Sequence, residues 1–202
     1  MRLDPGYFDR MYARSPDPWG LRSRWYEGRK YALTMAMLPR EQYADAFEPG
    51  CSVGVLTAML AKRCDRLLAC DVAAAAVNAA AERTAALPGV LVEQRSLPDG
   101  WPGGEFDLIV FSELLYYFAG HDLDRVVELA ALALRPGGTL LAVHWRHPVA
   151  DYPSTGDEVH EVLAARGGLA LLVQHREPDF LAEAYIRTHG QPQSVAQAGG
   201  LV

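Results

Sequence analysis

Glu48-Pro49-Gly50-Cys51-Ser52-Val53-Gly54 places a carboxylate ahead of three small residues at alternate positions. Gly50, Ser52 and Gly54 leave the backbone bare, so a flat ligand can lie directly on it. The turn opens onto an apolar helix from about Val53, whose free N–H groups suit a carboxylate or phosphate. Asp71 lies in the next apolar run, Leu67-Leu68-Ala69-Cys70-Asp71-Val72. An acid at that strand end can accept bonds from both hydroxyls of a ribose. Two later apolar runs end in Ser112-Glu113 and in His144, with His147 just beyond. A carboxylate or an imidazole placed there can remove a proton from a nucleophile.

These groups need elements to hold them. The pattern predicts a buried strand ending near Glu48, a second at Leu67–Val72 and a third at Val90–Gln94. A fourth, Phe106–Ser112, is almost wholly apolar, as a central parallel strand covered on both faces should be. Arg135-Pro136-Gly137-Gly138 reads as a sharp turn before a fifth strand, Thr139–Val143. Leu169–His175 and Phe180–Arg187 read as two further strands around a turn at Pro178-Asp179. Helices are expected at 73–86, 123–134 and 158–165, the first of them Ala-rich and able to pack closely. Ahead of the sheet, Tyr7, Phe8, Met11 and Tyr12 recur at helical spacing. A turn-rich break at 15–20 and a second helix from about Ser23 to Leu38 follow, stopped by Pro39. The fold class expected is α/β: a Rossmann-like, doubly wound, seven-stranded, mostly parallel sheet with one antiparallel strand. Residues 1–40 form N-terminal lid helices, 41–189 the core, and 190–202 a disordered tail.

Composition narrows the function. The 202 residues suit one domain, and 50% are hydrophobic. A formal net charge of -6 with no Lys/Arg run excludes a general nucleic-acid binder. Cys51, Cys64 and Cys70 have no metal spacing, so no metal is expected. An odd cysteine count without a secretory signal fits a reducing cytoplasm, and no apolar run reaches membrane length.

Glu48-x-Gly50-x-Ser52-x-Gly54 with Asp71 resembles the class I S-adenosylmethionine-dependent methyltransferases. Tyr7-Phe8 through Asp17-Pro18-Trp19, Trp25-Tyr26-Glu27…Lys30-Tyr31, Phe106 through Tyr117, His144-Trp145-Arg146-His147-Pro148 and Asp157-Glu158-Val159-His160 resemble one branch. That branch is the rhizobial nodulation-protein-S-type N-methyltransferases. The resemblance implies S-adenosyl-L-methionine held by Glu48, Gly50, Cys51, Ser52, Gly54, Asp71, Val72, Arg95, Ser96, Leu97 and Ser112. Tyr12, Trp19 and Tyr26 would roof it from the lid. Ser96 stands where the family usually carries an adenine-binding Asp. Strands one and four flank the ligand crevice in this family, which puts Glu113 near the methyl group.

The expected reaction is methyl transfer to an amino group of a small molecule, an amino sugar or aminoglycoside-type product. Glu113 and His144 are the candidate catalytic groups. Tyr117, His147, Asp157 and His160 are the candidate acceptor contacts. The expected partner is a small-molecule amine, with no nucleic acid and no membrane, and a homodimer is allowed. An O-methyltransferase is the alternative, with His144 as its base. A non-catalytic cofactor-binding protein is the second. Ser52 spoils a dehydrogenase glycine pattern, and no Tyr-x-x-x-Lys follows the fourth strand.

Overall fold

In the computed structural model, which describes residues 1–202, the apolar runs become strands of one sheet. They are β1 (Tyr43–Pro49), β2 (Cys64–Asp71), β3 (Val90–Gln94), β4 (Phe106–Ser112), β5 (Leu134–Trp145), β6 (Leu169–Arg176) and β7 (Phe180–Arg187). Their order is β3-β2-β1-β4-β5-β7-β6. All pairs are parallel except those of β7, which runs antiparallel to both β5 and β6. Helices α1 (Pro5–Arg14), α2 (Trp25–Ala36), α3 (Val55–Leu60), α4 (Ala74–Thr84), α5 (His121–Ala133) and α6 (Gly156–Ala165) accompany it. No helix is long and apolar enough to cross a membrane.

Strand β4 shows why this order forms. Successive side chains point to opposite faces. Ile109 and Phe111 enter one core with Phe47, Leu140 and Ala142. Leu108 and Val110 enter the other with Ala46, Leu141 and Val143. Both faces are therefore dry, and a strand apolar at every position is satisfied only in the middle of the sheet. Connections after β1 and β4 leave in opposite directions, which opens a crevice beyond their C-terminal ends. Glu48, in β1, and Glu113, just after β4, both lie at that edge.

Gly54 is fixed by packing. Its φ of +74° is left-handed, and a Cβ there would lie 2.8 Å from the Cα of Ala80 in α4. The small residues of α4 thus let it close onto the turn. Gly54→Ala is expected to cost about 2–4 kcal/mol from the backbone conformation and the clash together. Urea unfolding of the two proteins checks this, and a difference below 0.5 kcal/mol would refute it.

Three expectations need correction. Helix α3 begins at Val55, because Ser52 (φ 49°) and Gly54 take left-handed turn conformations that delay it. The Pro-Gly-Gly segment falls inside β5: Leu134 pairs with Phe106, pairing resumes at Leu108 with Thr139, and the residues between bulge out. The tail carries a short helix, α7 (Val195–Ala198), closed by a reciprocal Ser194–Gln197 capping box.

Candidate active site

One cavity of 330 Å³ opens along the crevice, of the size of a small-molecule site, roughly 300–1,000 Å³. At one end its wall is the β1–α3 turn with the ends of β2 and β3. Glu48, Gly50, Cys51, Ser52, Asp71, Val72, Arg95, Ser96 and Leu97 all line it there, and Ser112 lines it nearby. Tyr12 and Trp19 close over this end from the N-terminal segment, whereas Tyr26, expected beside them, lines the other end against Lys30 and Trp145. Gly54 is not in the wall; it faces Ala80, as described above.

Asp71 organises this end. One carboxylate oxygen accepts from Ser52 N–H and the other from Ala73 N–H, each at 3.0 Å. Burial raises its pKa, and these amides offset only part of that rise. Each oxygen retains a lone pair for a further donor. Ser52 Oγ also meets the Tyr12 hydroxyl at 2.6 Å, which ties α1 to the turn.

Glu48 tests whether the wall fits a cationic ligand. It is 2% exposed, and its Oε2 has no hydrogen-bond partner. Burial pushes its pKa up to about 8, and the nearby Asp71 adds to the shift. A ligand ammonium at this oxygen would satisfy it. Gly50 beside it has φ +76°, and a Cβ would lie 2.9 Å from Leu114 Cδ1. The bare backbone and the unpartnered oxygen together fit an amino-acid-like ligand lying on the turn.

The pH consequence follows. Glu48 keeps its proton to about pH 8 when folded and loses it near 4.5 when unfolded, so stability falls as pH rises between those values. Glu48→Gln removes that slope. Its unfolding free energy relative to that of the native protein should rise from pH 5 to pH 8, by at most about 1.4 kcal/mol per pH unit. A constant difference across that range would show that Glu48 titrates normally.

The other end of the cavity is a buried ion cluster. Lys30 on α2 is 3% exposed and sits 2.6 Å from Glu113 Oε1 and 2.9 Å from Glu27 Oε2. Burial opposes its charge, but the two carboxylates outweigh this and hold its pKa above the usual value. The Tyr26 ring lies over the ammonium, 5.1 Å from centroid to Nζ. Glu113 Oε2 accepts from the Tyr116 hydroxyl at 2.6 Å and from Trp145 N–H at 2.9 Å. Burial and Glu113 raise the Tyr116 pKa well above its usual value, so its hydroxyl stays protonated and donates. Glu113 itself holds a left-handed φ of 57°, which non-glycine residues rarely adopt. Tyr116, Tyr117, Trp145 and Tyr152 complete this wall.

Three expected residues lie elsewhere, and His144 does too. His144 is fully buried beneath the wall, and its Nε2 accepts from Leu115 N–H at 3.1 Å. It therefore presents no free nitrogen to the cavity. His160 is also buried, against His144 and Glu183, away from the acceptor face. His147 pairs with Asp179 at 2.8 Å. Asp157 pairs with Arg146 through both oxygens, at 2.7 and 2.8 Å. Neither lines the cavity, although Val149 and Tyr152 of the same β5–α6 segment do. The ion partners Lys30 and Glu27 carried no strong sequence signal. Their helical i, i+3 spacing was readable, but Glu113 lies 83 residues from Lys30. Arg2 was also unforeseen: it donates to Leu97 O at 2.8 Å, and Leu3 N–H donates to Tyr117 O at 2.9 Å. Residues 2 and 3 thereby link the two ends of the cavity.

Sheet order, crevice and glycine turn define the class: this is the Rossmann-like fold of methyltransferases. The chain belongs to the nodulation protein S (NodS) family, whose model matches residues 9–151. It is 35% identical over 127 residues to nodulation protein S of Bradyrhizobium diazoefficiens, covering 62% of this chain and 58% of that protein. The chain spans a little over half the length of the curated relatives it matches. A crystal structure from Pseudomonas syringae, provisionally assigned as a methyltransferase, is 49% identical, with a TM-score of 0.73 over 81% of this chain and 100% of that one. The N-methyltransferase NodS of Bradyrhizobium japonicum WM9, solved with S-adenosyl-l-homocysteine, shares the fold. Its TM-score is 0.80 at 24% identity, over 90% of this chain and 97% of that one.

Proposed function

We propose that the protein transfers a methyl group from S-adenosylmethionine to an amino nitrogen of a small molecule, an amino sugar or similar polar amine. The observation that carries this reading is the continuity of one cavity from Glu48 and Asp71 to Glu27, Lys30 and Glu113. The solved NodS complex with S-adenosyl-l-homocysteine supports the choice of cofactor. When bound, that cofactor supplies a methyl group already activated by a sulfonium.

The chain's residues then have the following tasks. Asp71 takes ribose hydroxyls, Glu48 takes an ammonium through its free oxygen, and Leu97 gives an apolar wall. Tyr12 and Trp19 shut water out from above. At the acceptor end, two carboxylates face one ammonium, which leaves one formal negative charge. A cationic amine suits that site. The amine attacks only when neutral, and Glu113 is the wall carboxylate that can receive its proton. Tyr117, Tyr152 and Trp145 offer aromatic faces for the body of the acceptor.

Nitrogen is favoured over oxygen because a hydroxyl needs a free strong base, and His144 Nε2 already holds Leu115 N–H. Calorimetry with S-adenosylhomocysteine, with NADH as control, tests the cofactor. A panel of amino sugars, simple amines and their deaminated analogues with labelled methyl donor tests the reaction. The expected result is micromolar binding of the first ligand, none of NADH, and label on amines alone. Label on a deaminated analogue would overturn the choice of nitrogen. Binding without any transfer would favour a non-catalytic cofactor binder.

A further inference from the structure

Beneath the acceptor wall lies a chain of buried polar groups that the methyl-transfer reading does not use. Leu115 N–H donates to His144 Nε2 at 3.1 Å. His144 Nδ1 lies 3.0 Å from His160 Nε2, and His160 Nδ1 lies 2.6 Å from Glu183 Oε2. Tyr185 donates to the same Glu183 oxygen, and Gln174 donates to the other at 2.6 Å. His144, His160 and Glu183 are 0%, 3% and 5% exposed. Burying such groups is tolerated only when each is satisfied.

The directions of these bonds are forced by the partners. An amide can only donate, so His144 Nε2 is bare and its Nδ1 carries the proton. That proton faces His160 Nε2, so His160 carries its own on Nδ1, facing the Glu183 carboxylate. Burial keeps His144 neutral. Hydrogen bonds from His160, Tyr185 and Gln174 outweigh burial and keep Glu183 ionised. Three side chains from β5, α6 and β7 thus form one chain that ends on the backbone of Leu115.

Leu115 begins the turn that carries Tyr116 and Tyr117. The neighbouring bond runs the other way: Trp145 N–H donates to Glu113. The end of β5 therefore grips the segment after β4 three times: through Val143 O, which accepts from Glu113 N–H at 2.8 Å, through the His144 side chain and through the Trp145 backbone. Glu113, in its left-handed conformation, is the residue held between them. An uncommon backbone conformation persists only where its surroundings over-determine it.

We propose that His144, His160 and Glu183 are positioning residues that hold the Leu115–Tyr117 turn, and through it Glu113 and Tyr116, at the acceptor end of the cavity. None of the three touches the acceptor. The kinetic part of the test rests on the methyl-transfer reading; the exchange part does not.

Two isosteric substitutions separate the roles of the two His144 nitrogens. In His144→Gln the side-chain oxygen reaches the place of Nε2 and keeps Leu115 N–H. In His144→Asn it reaches only the place of Nδ1 and releases it. The full chain is used throughout. Hydrogen exchange at Leu115 should be at least 10-fold faster in His144→Asn and near native in His144→Gln. With the amine that the native protein methylates fastest, kcat should fall at least 30-fold in His144→Asn. KM and S-adenosylhomocysteine affinity should stay within threefold. Glu183→Leu, two side chains away, should show the same pattern, and Glu183→Gln, which keeps an acceptor for His160, should restore it. Native exchange and native kcat in both His144→Asn and Glu183→Leu would overturn the proposal. So would a loss of cofactor affinity parallel to the loss of kcat, which would mean general collapse of the site. If the native protein methylates no amine, the methyl-transfer reading falls, and exchange at Leu115 alone decides whether the chain holds the turn.

Discussion

Asp71→Ala is expected to weaken S-adenosylhomocysteine binding about 100-fold, or ~2.7 kcal/mol. Two effects add. The first is direct: the carboxylate oxygens that line the cavity are gone, and with them the acceptors proposed for two ribose hydroxyls. The second acts through the turn. Ser52 N–H and Ala73 N–H both donate to Asp71, and both lose that partner. Ser52 also carries the Tyr12 contact, so α1 should loosen with the turn. Asp71→Asn separates the two effects, because its amide keeps one acceptor oxygen. It should lose less affinity than alanine while melting closer to the native protein. Titration calorimetry reads both variants. Affinity within threefold of native in Asp71→Ala would remove the ribose role.

The second large effect is kinetic. Glu113→Gln should lower kcat about 1,000-fold and leave S-adenosylhomocysteine affinity unchanged. Glutamine fills the same space and keeps one oxygen for Tyr116 and Trp145 N–H. It removes the negative charge that would draw the acceptor's ammonium and take its proton. Lys30 keeps Glu27 as an ionic partner, so the buried ammonium is not stranded. The fold should therefore survive, and the loss should appear in turnover with labelled methyl donor. A kcat within fivefold of native would mean that Glu113 serves only to seat Lys30. Asp71→Ala should thus act on cofactor affinity, and Glu113→Gln on turnover.

Much of this was readable along the chain. The strands could be placed because each is a compact apolar run, with a helix after β1, β2, β4 and β5 but none between β3 and β4 or between β6 and β7; the family resemblance implied their order. The end of the cavity at the β1–α3 turn was legible for the same reason. Glu48, Gly50, Ser52 and Asp71 each sit at or just past a strand end, and strand ends in a doubly wound sheet share one edge. Helix limits were less so. The onset of α3 depends on left-handed turns at Ser52 and Gly54, and apolar periodicity does not report those. The bulge in β5 arises from its register against β4, which no local pattern encodes.

The acceptor end was legible only as a list of residue types. Glu113 and His144 both follow apolar strands, and their positions alone suggested equal roles. Packing separated them. Glu113 turns into the cavity through its left-handed backbone, whereas His144 turns beneath it toward His160 and Glu183.

By itself, then, the sequence determined the sheet, its C-terminal edge and the groups of the β1–α3 turn, because these depend on local periodicity and on small residues at fixed spacing. Tertiary structure alone decided which charged groups share a cavity. Lys30 meets Glu113 across 83 residues, and His160 meets Glu183 across 23. Such clusters form because burial leaves each charged or polar group only the few partners packed around it, and that constraint exists only once the chain has closed around them.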